Sequence, residues 1–245
     1  MATRTPPHTA VYYPESDGQP MAETDVHRDQ MTDLILTLRQ YYRSDANVYV
    51  SGNLLLYYVE GDPRRSVAPD VFVVQGVPSH RRRIYKLWEE GRSPDVVFEI
   101  TSSSTRREDL DTKRGLYERL EVQEYFLFDP LGDYLRPRLQ GHRLIEGHYE
   151  PVEPLAAERL PSEVLGLQLR VREDQLRLYD PLGQRWLPTP ADADEARRLA
   201  EAHAAVAEAR ALTEAAARQE AEARAAAAEV ELARLRKQLD EGGRA

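Results

Sequence analysis

The chain has 245 residues and no cysteine, which excludes disulfides, zinc–thiolate sites and thiol nucleophiles. Its 33 basic and 42 acidic residues give a net charge of −9, so no global field attracts nucleic acid, although a local basic groove is compatible with that total. Candidates for such a groove are Arg81–Arg83 and Arg106–Arg107, for which a solvated surface is the competing interpretation. No apolar run is long enough for a membrane span and no secretory segment is visible, so we expect a cytoplasmic protein with no membrane partner.

The chain begins with a proline-containing stretch, residues 1–20, that predicts an irregular lead-in. A helix is predicted from Asp25, with Thr24 or Asp25 as its cap, because apolar residues then recur at helical spacing. Those residues are Met31, Leu34, Ile35, Leu38, Tyr41 and Tyr42. The pattern gives this helix one apolar face, which we expect to pack on a core.

A series of apolar runs follows, and most of them predict strands bounded by turn residues. The predicted elements are strands at Val48–Val50 and Leu54–Val59 around a Ser51-Gly52-Asn53 turn, a strand at Val67–Val74, a short helix at Arg83–Glu90 ended by Gly91, a strand ending at Glu99, a helix at Arg106–Leu120 and a strand at Glu124–Asp129. This order of helix, strands, helix and strand predicts an α/β fold with a mixed sheet.

The remainder of the chain is first β-rich and then helical. Short hairpins are predicted at Tyr134–Leu139, His142–Ile145, Leu167–Val171 and Leu176–Tyr179, so we assign the globular domain to residues 21–185. Residues 191–241 are mostly Ala, Glu and Arg without Pro or Gly, which predicts a helix of roughly 75 Å. Only Leu232, Leu235 and Leu239 keep coiled-coil spacing, so the tail is interpreted as a weak coiled coil or partly frayed helix.

Three charged residues in the predicted α/β core suggest a chemical site. Asp70 enters an apolar strand, Glu99 closes another, and Lys113 lies on the helix that follows. Two carboxylates from neighbouring strands can share a hard divalent cation such as Mg²⁺, with Mn²⁺ as an alternative, and the Ile100 carbonyl could add a ligand. Such a cation polarises a phosphoryl oxygen and activates a bound water, and a nearby lysine can offset the developing charge.

Each member of this trio also has a purely structural interpretation. Asp70 could close a turn or cap a neighbouring element, and Glu99 could pair with an arginine at the edge of the sheet. Lys113 lies four residues after Asp109, so an ordinary surface salt bridge is the alternative for the lysine.

The hydroxyl cluster Thr101–Thr105 follows Glu99 closely, and we expect it to supply N-caps for the next helix. His27, near the start of the first predicted helix, is interpreted as a surface or capping histidine. Whether Glu23, His27 or Thr101 contributes to the site stays open at this stage.

The order of these motifs along the chain is more specific than any one of them. It resembles that of the Uma-type "putative restriction endonuclease" family, within the PD-(D/E)XK nuclease superfamily, over roughly residues 20–180. The stretches that carry the resemblance are Pro69-Asp70, Val97-Phe98-Glu99-Ile100-Thr101-Ser102, Lys113 with Tyr117, and Glu124-Tyr125-Phe126-Leu127-Phe128-Asp129-Pro130.

The resemblance implies a core of αβββαβ order, which agrees with the elements predicted above. It also implies metal-binding acids at Asp70 and Glu99. One departure from the superfamily pattern is that Thr101 stands where a lysine is expected, two residues after the glutamate. In this family the lysine is expected on the following helix, where Lys113 lies.

Three functional hypotheses follow. The first is an endonuclease that hydrolyses DNA with a divalent metal held by Asp70, Glu99 and Ile100 and with assistance from Lys113. The second is a nuclease-fold protein that binds nucleic acid or a partner without cutting. The third is an assembly protein whose helical tail mediates homo-oligomerisation or binds a protein partner.

Overall fold

The computed structural model of the protein describes residues 11–16, 24–102 and 108–242. Its helical elements are α1 (Asp25–Tyr41), α2 (Leu87–Glu90), a π-helical segment (Glu108–Lys113), α3 (Arg114–Arg119) and α4 (Pro190–Gly242). Its strands are β1 (Val48–Ser51), β2 (Leu56–Tyr57), β3 (Ser66–Val67), β4 (Val71–Gln75), β5 (Tyr85–Lys86), β6 (Val96–Ile100), β7 (Glu124–Phe128), β8 (Leu139–Ile145), β9 (His148–Pro151), β10 (Arg159–Ser162), β11 (Leu167–Arg172), β12 (Gln175–Asp180) and β13 (Arg185–Trp186).

The main sheet has six strands in the order β1-β4-β6-β7-β8-β9. Its β6–β7 pair is parallel and the other pairs are antiparallel. The parallel pair exists because the π-helical segment and α3 cross over between the two strands, as a parallel connection requires. The order α1, β1, β4, β6, α3, β7 therefore confirms the predicted α/β fold with a mixed sheet.

The central strands of this sheet have buried apolar residues at successive positions, and such a pattern is typical of a sheet that is covered on both faces. On one face the strands pack against α1, whose Met31, Leu34 and Leu38 belong to the same cluster. The four-stranded sheet β10-β11-β12-β13 contributes leucines to this cluster and contains the predicted segments Leu167–Val171 and Leu176–Tyr179, whereas the predicted His142–Ile145 lies in β8 of the main sheet. On the other face, Leu116 and Tyr117 of α3 pack on the strands.

The predicted strand Val67–Val74 is interrupted in the structure. It is divided into β3 and β4, and the residues between them, Ala68 to Asp70, belong to neither strand. Pro69 has no amide hydrogen for a ladder, and its carbonyl accepts instead from the amide of Asn53 at 2.8 Å. Asp70 consequently lies at the entrance to β4 rather than inside a strand.

Two other predictions of local structure are corrected. The segment Leu54–Val59 forms only the short β2, in a separate sheet with β3 and β5, because β1 pairs with β4 instead. The predicted helix Arg83–Glu90 begins only at Leu87, after β5, although Gly91 does end it with a positive φ of 70°.

The segment Tyr134–Leu139 was predicted as a strand but is a loop up to Arg138, and β8 begins at Leu139. The cause is Asp129, whose carboxylate accepts four backbone amides and thereby folds the chain around itself. The donors are Leu131, Gly132, Tyr134 and Leu135. Amides bonded to a side chain in this way are not available for a sheet ladder.

The chain divides into two compact units, Met1–Pro190 and Ala191–Ala245. Helix α4 is 53 residues long, and nearly all of its described side chains are exposed. Leu232 is exposed, while the side chains of Leu235 and Leu239 lie outside the described residues. No helix in the described part of the chain is both long enough and apolar enough to cross a membrane.

We expect the chain truncated after Pro190 to keep the fold of the first unit. The removed residues are almost all exposed, so the truncation removes little buried apolar surface from the domain. Thermal unfolding followed by near-ultraviolet circular dichroism should show a midpoint close to that of the full chain, and sedimentation should report any change in self-association. A large fall in the midpoint would contradict the expectation and show that the helix stabilises the domain.

Candidate active site

Asp70, which directly precedes β4, lies beside Glu99 of the neighbouring strand β6. In the antiparallel β4–β6 ladder Val71 is paired with Phe98, so the same register places Asp70 opposite Glu99. Residues paired in this way have their side chains on the same face of a sheet, with Cβ atoms about 4.5–5.5 Å apart. The backbone amide of Ile100 also donates to Asp70 Oδ2 at 2.7 Å, which ties the first acid to the strand that carries the second.

A glycine allows the chain to bring Asp70 to this position. A Cβ atom added to Gly52, just after β1, would lie 2.0 Å from the carbonyl oxygen of Asp70. Any side chain there would therefore displace the backbone that carries the acid. The close approach of this turn to Asp70 depends on the absence of a side chain at Gly52.

Glu99 is almost completely buried, with a relative exposure of 1 %. The alternation of side chains along β6 directs it towards the face covered by α3. There its Oε1 accepts from the Tyr117 hydroxyl at 2.7 Å and its Oε2 from Lys113 Nζ at 2.9 Å. The pKa of Glu99 is raised to about 8, chiefly by burial and also by the carboxylates of Asp70 and Asp109, while Lys113 and the Tyr117 hydrogen bond act to lower it.

Lys113 lies between two buried carboxylates. Besides its contact with Glu99, its Nζ is 3.1 Å from Asp109 Oδ1. The pair with Asp109 that was considered from the sequence is therefore present, but it is buried, since the two side chains are only 12 % and 1 % exposed. Burial alone would lower the pKa of Lys113, but Glu99, Asp109 and Asp70 together raise it, so the amine keeps its proton.

His27 contacts the site from α1. Its Nε2 is 3.1 Å from Asp70 Oδ2, and its side chain is 7 % exposed. Thr24 caps the helix by accepting the His27 amide at 3.2 Å, as the sequence predicted for that residue. The surface interpretation of His27 is therefore wrong, because the ring is buried against an acid of the trio.

Sequence reasoning did not assign Tyr117 a contact with Glu99. A signal for it was present, because Asp109, Lys113 and Tyr117 recur at intervals of four residues and such residues lie on one helical face. No comparable signal links His27 to Asp70, which are 43 residues apart.

Thr101 occupies the position where the superfamily pattern has its lysine. Its amide donates to the Phe128 carbonyl at 2.7 Å, which continues the β6–β7 pairing, and its buried Oγ1 has no hydrogen-bond partner among the residues that the structure describes. Lys113 instead reaches Glu99 from the π-helical segment, a rare form that often occurs at functional sites. Residues 103–107, which include most of the predicted N-caps, and Glu23 lie outside the described residues.

The predicted ligands offer the carboxylate oxygens of Asp70 and Glu99 and the backbone carbonyl of Ile100. The Ile100 carbonyl is directed towards β4, because the amide of the same residue donates to Asp70 and the next amide, of Thr101, faces β7. Across residues 11–16, 24–102 and 108–242, no group of three or more His, Asp or Glu side chains is arranged to hold a metal ion. The donor set is thus two acids and a carbonyl, all hard oxygen ligands of the kind that Mg²⁺ prefers.

A comparison with known protein families agrees with the resemblance noted from the motifs. The model of the Uma2 family, described as "Putative restriction endonuclease", matches residues 4–172. Among solved structures, a "putative nuclease belonging to DUF820" from Anabaena variabilis ATCC 29413 matches at 16 % identity and a TM-score of 0.43, over 58 % of this chain and 74 % of that one. No curated protein matches the chain. The family match covers more than half of the chain, so the predicted resemblance is confirmed.

Substitution of Lys113 tests whether the buried cluster is held by charge balance. We expect Lys113→Met to lower the free energy of unfolding by about 3–5 kcal/mol, because it leaves Glu99 and Asp109 buried without their cation. The matched control is Lys86→Met, since Lys86 pairs with the exposed Glu89 at 2.8 Å and should cost no more than about 1 kcal/mol. Urea unfolding in the presence of a chelator measures both.

The double variant Lys113→Met/Glu99→Gln should recover part of this loss, because the remaining neutral amide costs less to bury than a carboxylate. Equal losses in Lys113→Met and Lys86→Met would show that the cluster does not depend on the lysine.

Proposed function

We propose, since this chain belongs to the Uma2 family of "putative restriction endonucleases", that it hydrolyses phosphodiester bonds of DNA with the help of a divalent cation, Mg²⁺ or Mn²⁺. The observation that carries this proposal is the convergence of Asp70, Glu99 and Lys113, which lie on three different elements. Asp70 and Glu99 are opposed across β4 and β6, and Lys113 contacts Glu99 at 2.9 Å.

The residues present fit a hard divalent cation. Asp70 and Glu99 would hold it together with the Ile100 carbonyl, and waters would complete its shell, as is usual for Mg²⁺. When bound, such a cation polarises a phosphoryl oxygen and lowers the pKa of a bound water. The raised pKa of Glu99 is consistent with this assignment, because a site crowded with carboxylates gains most from a positive charge.

Lys113 acts in this scheme as a fixed cation and not as a base. Its raised pKa keeps the amine protonated, so it cannot accept the proton of an attacking water. An ammonium group held at Glu99 can instead orient a water by hydrogen bonding and stabilise negative charge that develops on the phosphate.

His27 and Tyr117 position the two acids. The Tyr117 hydroxyl donates to Glu99 Oε1, and His27 Nε2 lies within hydrogen-bonding distance of Asp70 Oδ2. Each carboxylate therefore has a second partner that restricts its rotation, which is the usual arrangement around metal-binding acids.

A second role, assembly through α4, is supported by a separate observation. Large apolar side chains are exposed along this helix, among them Leu199, Val206, Leu212, Val230 and Leu232. This role concerns the second unit of the chain and is compatible with a nuclease activity of the first.

Plasmid cleavage tests the proposed chemistry. We expect the full chain to nick or linearise supercoiled DNA with Mg²⁺ or Mn²⁺ and to stop when EDTA is added. Asp70→Asn, Glu99→Gln and Lys113→Met should each reduce the rate by about 100-fold or more, the size of effect that follows loss of an electrostatic group in an active site. Glu150→Gln, which alters an exposed acid on β9, is the matched control and should retain the rate.

A binding measurement keeps this test independent of turnover. Calorimetry with Mn²⁺ should detect a site in the wild-type chain and in Glu150→Gln, and a weaker site in Asp70→Asn. Thermal melting of every variant identifies a loss that is caused by unfolding. Cleavage that survives in Asp70→Asn and Glu99→Gln, or Mn²⁺ binding unaffected by Asp70→Asn, would refute the assignment of these acids.

A further inference from the structure

A cleft of about 530 Å³ lies along the free edge of β1, away from the acid–lysine cluster. It is bounded by the last turn of α1 and the residues after it, by β1, and by the loop that contains Ser79 and Arg81. Among the described residues that line it are four arginines, namely Arg39, Arg43, Arg81 and Arg82, and one acid, Asp45. A cleft with this excess of positive charge is unexpected on a chain whose net charge is −9.

Three of the four arginines have charge available for a ligand. Arg82 is neutralised by Glu90 at 2.6 and 2.7 Å, and its guanidinium lies 4.2 Å from the centre of the Tyr49 ring, so it forms a fixed wall. Arg39, Arg43 and Arg81 are exposed and make no ion pair with any residue that the structure describes. Within the described part of the chain, the cleft therefore presents three guanidinium groups that pair with no carboxylate.

The edge of β1 is not well suited to accept a peptide strand. Arg39 Nε already donates to the Val50 carbonyl at 2.9 Å, and the Val48 amide donates to the Asp45 carbonyl at 3.4 Å. Because these backbone groups are already hydrogen-bonded and arginine side chains lie over them, they do not favour pairing with an added strand. The groups that remain are donors that suit an anion, above all the oxygens of a phosphate.

The position of the cleft relates it to the acid pair. β1 is next to β4, which follows Asp70, and β4 is next to β6, which carries Glu99. Neighbouring strands are about 4.8 Å apart, so across the sheet β1 is one spacing from β4, which Asp70 precedes, and about 10 Å from β6, which carries Glu99. This distance corresponds to about three base pairs of duplex DNA at 3.4 Å each.

We propose that this cleft binds backbone phosphates of duplex DNA a few nucleotides from the bond held at the acid pair. This inference rests on the proposed nuclease function for the identity of the ligand. Arg43 and Arg81, together with Arg39, contact phosphate oxygens without reading bases, so the cleft fixes the direction and register of the duplex.

The test is DNA binding measured in EDTA, where no cleavage takes place. Fluorescence anisotropy of a labelled 30-base-pair duplex with the full chain should give an affinity that falls steeply with salt. Arg43→Gln and Arg81→Gln should each weaken binding by about tenfold at 50 mM salt and reduce the slope of log K against log salt by about 1. The double variant should reduce the slope by about 2.

Arg119→Gln is the matched control. Arg119 is exposed and makes no ion pair within the described part of the chain, and it lies six residues beyond Lys113, about 9 Å farther along the helical axis from the acids. Its substitution should leave both the affinity and the slope unchanged. Thermal melting should show the fold intact in all of these variants, because each altered side chain is exposed.

The outcomes separate this inference from the proposed chemistry. Arginine-dependent binding in a chain that does not cleave would refute the nuclease activity and support the cleft as a DNA site. If the chain cleaves DNA but Arg43→Gln, Arg81→Gln and Arg119→Gln bind DNA with equal affinity, the cleft proposal is wrong and the proposed nuclease chemistry stands. The cleft proposal would also be wrong if the chain did not bind the duplex at 50 mM salt. It would be wrong as well if polyglutamate displaced DNA equally from the wild type and the double variant.

Discussion

The burial of Glu99 in β6 constrains how the second layer of the fold packs on the sheet. A carboxylate without solvent requires partners, because its desolvation is otherwise costly. Those partners, Lys113 and Tyr117, come from one face of the helical segment between β6 and β7. That face must therefore lie over Glu99, and Asp109 then joins the cluster from one turn earlier. The register of the helical layer on the sheet is thus fixed by polar contacts as well as by apolar packing.

Carboxylates are concentrated around Lys113. Among the residues that the structure describes, Glu99 and Asp109 contact its amine, the charge of Asp70 also acts on it, and His27 contacts Asp70. A buried ion pair that served stability alone would be expected to match its charges, since an uncompensated buried charge is strongly destabilising. The concentration of carboxylates supports our proposal that the site gains stability when a cation is added. The same reasoning explains why burial and like charges raise the pKa of Glu99 while Lys113 stays protonated.

Patterns local in the sequence predicted much of this structure, and contacts between distant segments account for what they missed. The cap at Thr24 and the buried strands β6 and β7 follow from spacing and apolar runs. The loop around Asp129 could not be predicted in this way. Four backbone amides bond to its carboxylate instead of to a neighbouring strand, and the spacing of apolar residues does not indicate such bonds. The candidate site was likewise predicted only in part. The trio stands out by residue type and order, whereas the approach of His27 to Asp70 spans 43 residues and becomes visible only when the chain is folded.

Local charge, and not the net charge of −9, governs what the surface can attract. Opposite charges on a solvated surface are screened beyond a Debye length of about 8 Å at physiological salt. Three arginines of the β1 cleft face solvent, so salt limits the reach of their charge, whereas Glu99 and Asp109 are buried beside Lys113. A polyanion can therefore be held at the arginines while the acids keep a negative site for a cation. The sheet separates the two charges, and its strand spacing sets the distance between the place that holds the backbone and the place proposed to cut it.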